Sequence, residues 1–218
     1  MTLGMFPPKL ISIVTPVTIT NTDNDGTQGS ATTFTFSGKS IGAAAANRRV
    51  YVGVFGSSAQ SSISSVTIGG NTATNHVSRN DSNRLAGIYS YPLTTGTTAN
   101  IVVTFPGSEN RCFIGVWAAY GADATPHDTL SSGASSSTGT IDIPEGGALI
   151  AYAHNNGGSA TFTWAGATED FDDVPSGGTE SHSGAHADEM AEETGRTVTA
   201  TPSSVQAPGL VAVSLAPA

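Results

Sequence analysis

The chain has 218 residues, a net charge of −9 and only 11% charged side chains, far below the roughly 25% usual for globular domains. Its Lys and Arg are too few and scattered to neutralise a phosphate backbone, which argues against a nucleic-acid partner. No run approaches the ~18 apolar residues of a membrane span. A single cysteine, Cys112, rules out an intrachain disulfide.

In chain order, the segment MTLGMFPPK lacks the basic-then-apolar order of a secretory signal. The expectation is a chain made in the cytosol without a signal peptide. Residues 5–9, with consecutive prolines, read as an extended arm, since prolines cannot join a ladder. Residues 10–14 and 17–20 read as strand, interrupted by Pro16, and residues 21–26 (NTDNDG) as a turn. The next strands fall at 32–36, 48–55, 65–69, 85–91, 100–105 and 111–120. Residues 43–46 are apolar enough for a helical turn but too short for a stable helix. Residues 123–138, rich in Ser, Gly and Ala, read as a connector. Further strands are predicted at 140–143, 148–153, 160–164, 196–201 and 210–215.

These strands repeat. SVTIGGNTAT at 65–74 is echoed by TFTWAGATED at 161–170. Apolar runs precede both copies, at 50–55 and 148–153, and close both, at 114–118 and 211–215. A constant order at a nearly constant offset points to a duplicated β-unit. The fold expected is all-β, an antiparallel β-sandwich of jelly-roll or Ig-like type with two pseudo-repeated halves. Its parts are an arm and edge strand (1–31), a first unit (32–122), the connector and a second unit (139–218).

Two of the runs are apolar on both alternating faces. Val50, Val52 and Val54 oppose Tyr51 and Phe55; Cys112, Ile114 and Val116 oppose Phe113 and Trp117. Such strands need cover on both sides, from the sister unit or from another subunit. Trp117 and Cys112 are therefore expected in the core. Charge is asymmetric too: residues 1–138 hold six acidic and seven basic side chains, and 139–218 hold eleven acidic and only Arg196. Either the acidic half is a solvated surface, or it meets the near-neutral half of another copy.

Catalytic signatures are missing: no Gly-x-Ser-x-Gly, no His-Glu-x-x-His and no phosphate-cradling glycine loop. The closest string to a metal site is HSGAHADE at 182–189. On a helix His182 and His186 would adjoin. On a strand they lie roughly 13 Å apart, and only His186 and Asp188 converge. The duplication favours a strand over the local helical propensity of residues 185–193. Asp23 and Asp25, followed by Gly26, resemble part of a calcium loop but lack its closing Glu. Glu169 and Asp170 open the acidic run EDFDD beside Trp164, a potential sugar platform. Turn chemistry, solvation and core packing explain most of these residues equally well, so no cofactor or metal is expected. His76, His127 and His154 lie in polar contexts and are read as surface residues.

VTIGG at 66–70, NRCFIGVWAAYG at 110–121, TFTWAGATEDF at 161–171 and LVAVSLAPA at 210–218 together resemble small β-rich structural proteins of tailed bacteriophages and prophages. The resemblance covers roughly residues 32–218 and carries no catalytic residue. It implies a non-enzymatic virion component, a capsid decoration or accessory protein working through multivalent contacts with major capsid or tail proteins, and a homo-oligomer. Residues 1–20 would form the docking arm, with Phe6, Pro7, Pro8 and Leu10 at the contact. The alternative is a tail, spike or fibre module that binds a receptor or carbohydrate.

Overall fold

The computed structural model describes residues 14–57, 59–81, 84–133, 137–156, 160–174 and 180–218. Among these, the regular elements are all β-strands, each paired antiparallel to its neighbours. Phe6, Pro7, Pro8 and Leu10 lie outside the described residues.

The first half forms one sheet from β1 (Thr18–Ser40), β2 (Arg48–Ser57), β3 (Ser65–Ile68), β4 (Asn71–Thr72), β5 (Thr74–Asp81), β6 (Arg84–Tyr91) and β7 (Thr98–Tyr120). The start of β7 pairs with β3, its end pairs with β2, and β1 follows it along both stretches. Ile101, Val103 and Phe105 from the start of β7 enter the same core as Cys112, Ile114 and Val116 from its end. The sheet therefore doubles over between these stretches. At the other side β4 runs through buried Ala73 into β5, which pairs with β6. The outcome is a nearly closed, barrel-like sheet.

The second half consists of β8 (Asp128–Gly133), β9 (Thr138–Ile143), β10 (Gly147–Asn155), β11 (Phe162–Ala165), β12 (Thr168–Asp173), β13 (Ser181–Met190), β14 (Glu193–Pro202) and β15 (Gly209–Leu215). They form a five-stranded sheet, β12-β13-β10-β15-β8, and a three-stranded one, β11-β14-β9. Ile141, Leu149, Phe162, Val198 and Leu210 are among the side chains that fill the space between them.

A third core joins the halves. In β2 the valines face the first half's own core, whereas Tyr51 and Phe55 face outward; in β7 Phe113 and Trp117 do the same. From the second half Ile150 and Tyr152 of β10 and Val211, Val213 and Leu215 of β15 meet them. The cover that the two-faced apolar strands require comes from the same chain. Removing each such large side chain from water contributes about 1.5–3 kcal/mol, so this seam rivals either internal core. Val17 and Ile19 are buried in it as well.

Glycines set how closely the halves approach. A Cβ on Gly53 would lie 2.7 Å from the Tyr152 ring, and one on Gly115 would lie 2.7 Å from Trp117. At Gly184 it would lie 2.5 Å from Trp117 and collide with Phe171. No small shift clears two rings that are themselves packed. Gly184→Ala is expected to destabilise the fold by about 1–3 kcal/mol through overpacking, read as a lower urea midpoint at unchanged slope. An unaltered midpoint would mean that the seam is not closely packed there.

Several segments depart from the sequence reading. Residues 21–26 lie inside β1, with a register shift between Asn21 and Asp23, and do not form a separate turn. Pairing with β7 outweighs their turn propensity, and the Asn21 Nδ2 donates to the Val116 carbonyl at 3.0 Å. β1 also runs unbroken across the 31/32 boundary, and β8 lies within the 123–138 connector, paired with β15. Residues 43–46 form no helix; a turn closes there with Arg48 N donating to the Ala45 carbonyl at 3.1 Å. HSGAHADE is strand, with a register shift near its end, where Glu189 adopts the left-handed φ of 53°.

Candidate functional site

Strand alternation on β13 directs His182, Gly184 and His186 toward the first half, and β12 lies beside them. At one end of the seam these strands meet β1 and β7, and the polar residues singled out by sequence gather there. Asp170 is the hub. Its Oδ2 accepts from the Nε1 of fully buried Trp117 at 2.7 Å, and its Oδ1 lies 2.7 Å from His186 Nδ1. The hydrogen bond to Asp170 raises the His186 pKa above its ordinary value, against the opposing effect of burial, with Asp188 adding to the rise. A carboxylate thus fastens an indole of the first half to an imidazole of the second.

The neighbouring groups are similarly engaged. Asp188 is engaged with β1: its Oδ2 accepts from the Ile19 backbone N at 3.1 Å, clamping β1 to β13. His182 is buried, stacked on Phe113 with centroids 5.1 Å apart, with Nδ1 3.0 Å from the Tyr152 hydroxyl and Nε2 3.5 Å from Asp173. The contact with His182 holds the Asp173 carboxyl below its usual range, and Asn24 Nδ2 also donates to it at 3.3 Å. Asp25 and Asp23 ion-pair with Lys39 at 2.6 and 3.5 Å, and Asp23 also accepts from Ser40 N. Glu169 is exposed at the rim, its pKa raised by burial and then by Asp172 and Asp170. Among the described residues no group of three or more His, Cys, Asp or Glu is arranged to hold a metal ion.

Trp164 is half-buried on β11; its Nε1 donates to Ser183 Oγ at 2.8 Å and its ring packs against the second half's core. Its polar handle is committed inward, to a hydroxyl that in turn donates to the Phe171 carbonyl at 2.8 Å.

The other end of the seam holds residues that sequence reasoning missed. Glu180 is buried, accepts from the Ser57 hydroxyl and pairs with Arg111 at 3.0 Å. With its amide oriented to suit its neighbours, Asn156 donates to Glu180 at 2.8 Å and accepts from Arg84 at 2.7 Å. His154, read from sequence as a surface residue, is fully buried and stacked on Phe55 with centroids 4.3 Å apart. His76, also expected at the surface, is half-buried near Tyr51 and lies 2.6 Å from Ser90 Oγ, whereas His127 is exposed. A usable signal was present for one of them: Arg111 borders an apolar run, where a charged group needs a specific partner, here Glu180.

Arg48 forms a further buried polar centre at the first half's outer end. Its Nε donates to the Leu93 carbonyl at 2.7 Å, Nη1 to those of Gly42 and Gly96 at 2.8 and 2.9 Å, and Nη2 to that of Thr95 at 2.8 Å. It pins the loops before β2 and before β7.

The geometry describes an all-antiparallel β protein whose halves are locked face to face by an apolar seam with polar clasps at its ends. Compared with protein families, curated proteins and solved structures, the chain matches none.

Proposed function

We propose that the protein is a non-enzymatic structural subunit of a tailed-bacteriophage particle, and that its halves are repeats of one β-sandwich unit. The observation that carries the assembly reading is the seam itself. Two β-bodies are joined through a face containing Tyr51, Phe55, Phe113, Trp117 and Tyr152, all fully buried. Such a joint resists relative motion of the halves and suits a block that transmits load or spans neighbours in a particle. Matched strand order supports the repeat: β1-β7-β2-β6-β5 in the first half runs parallel to β8-β15-β10-β13-β12 in the second. The β1-β7-β3 stretch likewise corresponds to β9-β14-β11.

In this reading the chain is a capsid decoration or accessory protein that acts as a homo-oligomer on major capsid or tail proteins. The acidic surface of residues 139–218 meets the near-neutral half of another copy. The docking arm is shorter than the sequence reading has it, because Val17 and Ile19 belong to the seam. The test is light scattering of the full chain and of a variant lacking residues 1–13, with co-sedimentation against phage particles stripped of accessory proteins. A stable oligomer that binds particles, with binding lost in the deletion, is expected. A monomer that leaves particles bare in both forms would overturn the reading.

A further inference from the structure

The seam and its clasps leave one built cavity unexplained. It lies on the far flank of the first half, where residues 59–64 cross over β5 and β6, and has a volume of about 290 Å³. The crossing segment is held at several points. The Ala59 and Gln60 backbone N–H groups donate to the buried Glu109 carboxylate at 3.1 Å each, Asn80 Nδ2 donates to the Ser61 carbonyl at 2.8 Å, and Ser64 N donates to the Thr104 carbonyl at 2.8 Å. A buried carboxylate that organises the backbone of a surface loop makes the cavity preformed rather than a gap between mobile side chains.

Its lining is two-sided. Leu85 and Tyr89 are buried and, with half-buried Ile63, supply apolar surface. Asn75, Ser78 and Ser61 supply amide and hydroxyl groups at the exposed side. Asn75 Nδ2 donates to Ser78 Oγ at 2.5 Å, and both side chains lie near the Tyr89 hydroxyl. The one charged wall residue, Arg79, is ion-paired with Asp81. The cavity therefore presents no net charge to a ligand.

We propose that this cavity binds a neutral hexopyranose unit. Its volume sits at the lower end of the range for small-molecule sites, about 300–1,000 Å³, which suits one ring. A pyranose has an apolar C–H face that fits Tyr89 and Leu85, and a rim of hydroxyls that both donate and accept. Asn amides and Ser hydroxyls do likewise. An anionic ligand would find no unpaired cation on the wall, and a purely apolar one would leave the donors and acceptors of the Asn and Ser rim unused. The proposal does not depend on the assembly role, and neither result decides the other.

The experiment is saturation-transfer NMR on the full chain with the methyl glycosides of glucose, galactose and N-acetylglucosamine, and with methyl glucuronide as the charged comparison. At least one neutral glycoside is expected to bind with a Kd of about 1 mM, more tightly than the glucuronide. Ser78→Trp, which sets a large ring on the cavity wall at an exposed position, is expected to weaken binding at least about tenfold in a chain that still melts cooperatively. Asn75→Ala provides a second, smaller lesion with the same expected direction. The proposal is overturned if no neutral glycoside shows transfer, if the glucuronide binds as well as they do, or if neither substitution changes the signal.

Discussion

Acidification is expected to weaken the fold well before its carboxylates protonate, because the seam holds histidines as neutral rings. His154 is fully buried and stacked on Phe55; burial pushes its pKa down to about 3, with Arg79 and Arg84 repelling a proton further. His182 is lowered too, by burial, although Asp173, Asp172 and Asp25 oppose the shift. His76 falls to about 4, through burial and then Arg49. Between pH 6.5 and about 3 the unfolded chain takes up a proton on His154 that the folded chain refuses. Stability from this residue is therefore complete above pH 6.5 and lost as pH falls toward 3. The full loss is on the order of 5 kcal/mol for His154.

Urea melts from pH 7.5 to 4 check this, with His154→Phe as the comparison. Phenylalanine keeps a ring against Phe55 but cannot bind a proton, so the variant's midpoint should fall less steeply over the same window. Parallel curves for the two proteins would show that His154 carries none of the pH dependence. Tyr152 and Asp173 face His182 from the second half, and Phe113 faces it from the first. Acid is thus expected to act on the joint between the halves more than on either internal core.

Arg48→Met is expected to cost about 2–4 kcal/mol, because it strips the donor from several carbonyls at once. The guanidinium is almost fully buried and meets the Gly42, Leu93, Thr95 and Gly96 carbonyls in one plane of donors. Methionine fills much of the space of the stem but offers no N–H. Arg48→Lys should recover only part of the loss, since a single ammonium cannot span the same set of carbonyls. The measurement is the denaturation midpoint together with amide exchange, which should rise first in residues 41–47 and 93–97. Wild-type exchange in both loops would refute the pinning role.

Much of the fold was legible in the chain itself. Period-2 patterning placed most of the strands, and the apolar runs at 50–55 and 111–120 announced that β2 and β7 needed cover on both faces. Cys112 and Trp117 were recognisable as core by their neighbours in sequence. The echo between the two halves of the sequence also chose a strand for His182 and His186 over the helix that local propensity preferred. Polar strand segments were harder: residues 21–26 read as a turn because nothing local reveals that β7 will pair with them.

The clasps were not legible. Asp170 was visible as one of a run of acids, but its partners Trp117 and His186 are brought to it from other strands, one of them in the opposite half. His154 looked like a polar residue at the end of a strand, and only the facing Phe55 makes it a buried neutral ring. Gly184 resembled any other strand glycine until Trp117 and Phe171 were seen to occupy the space of its missing Cβ. The physical reason is the same in each case. Alternation along a strand depends on the strand's own residues and is written locally, so the sequence by itself determined which faces are apolar. What a face meets depends on how two sheets stack, and that was decided only in the tertiary structure, where residues far apart in the chain share one buried seam.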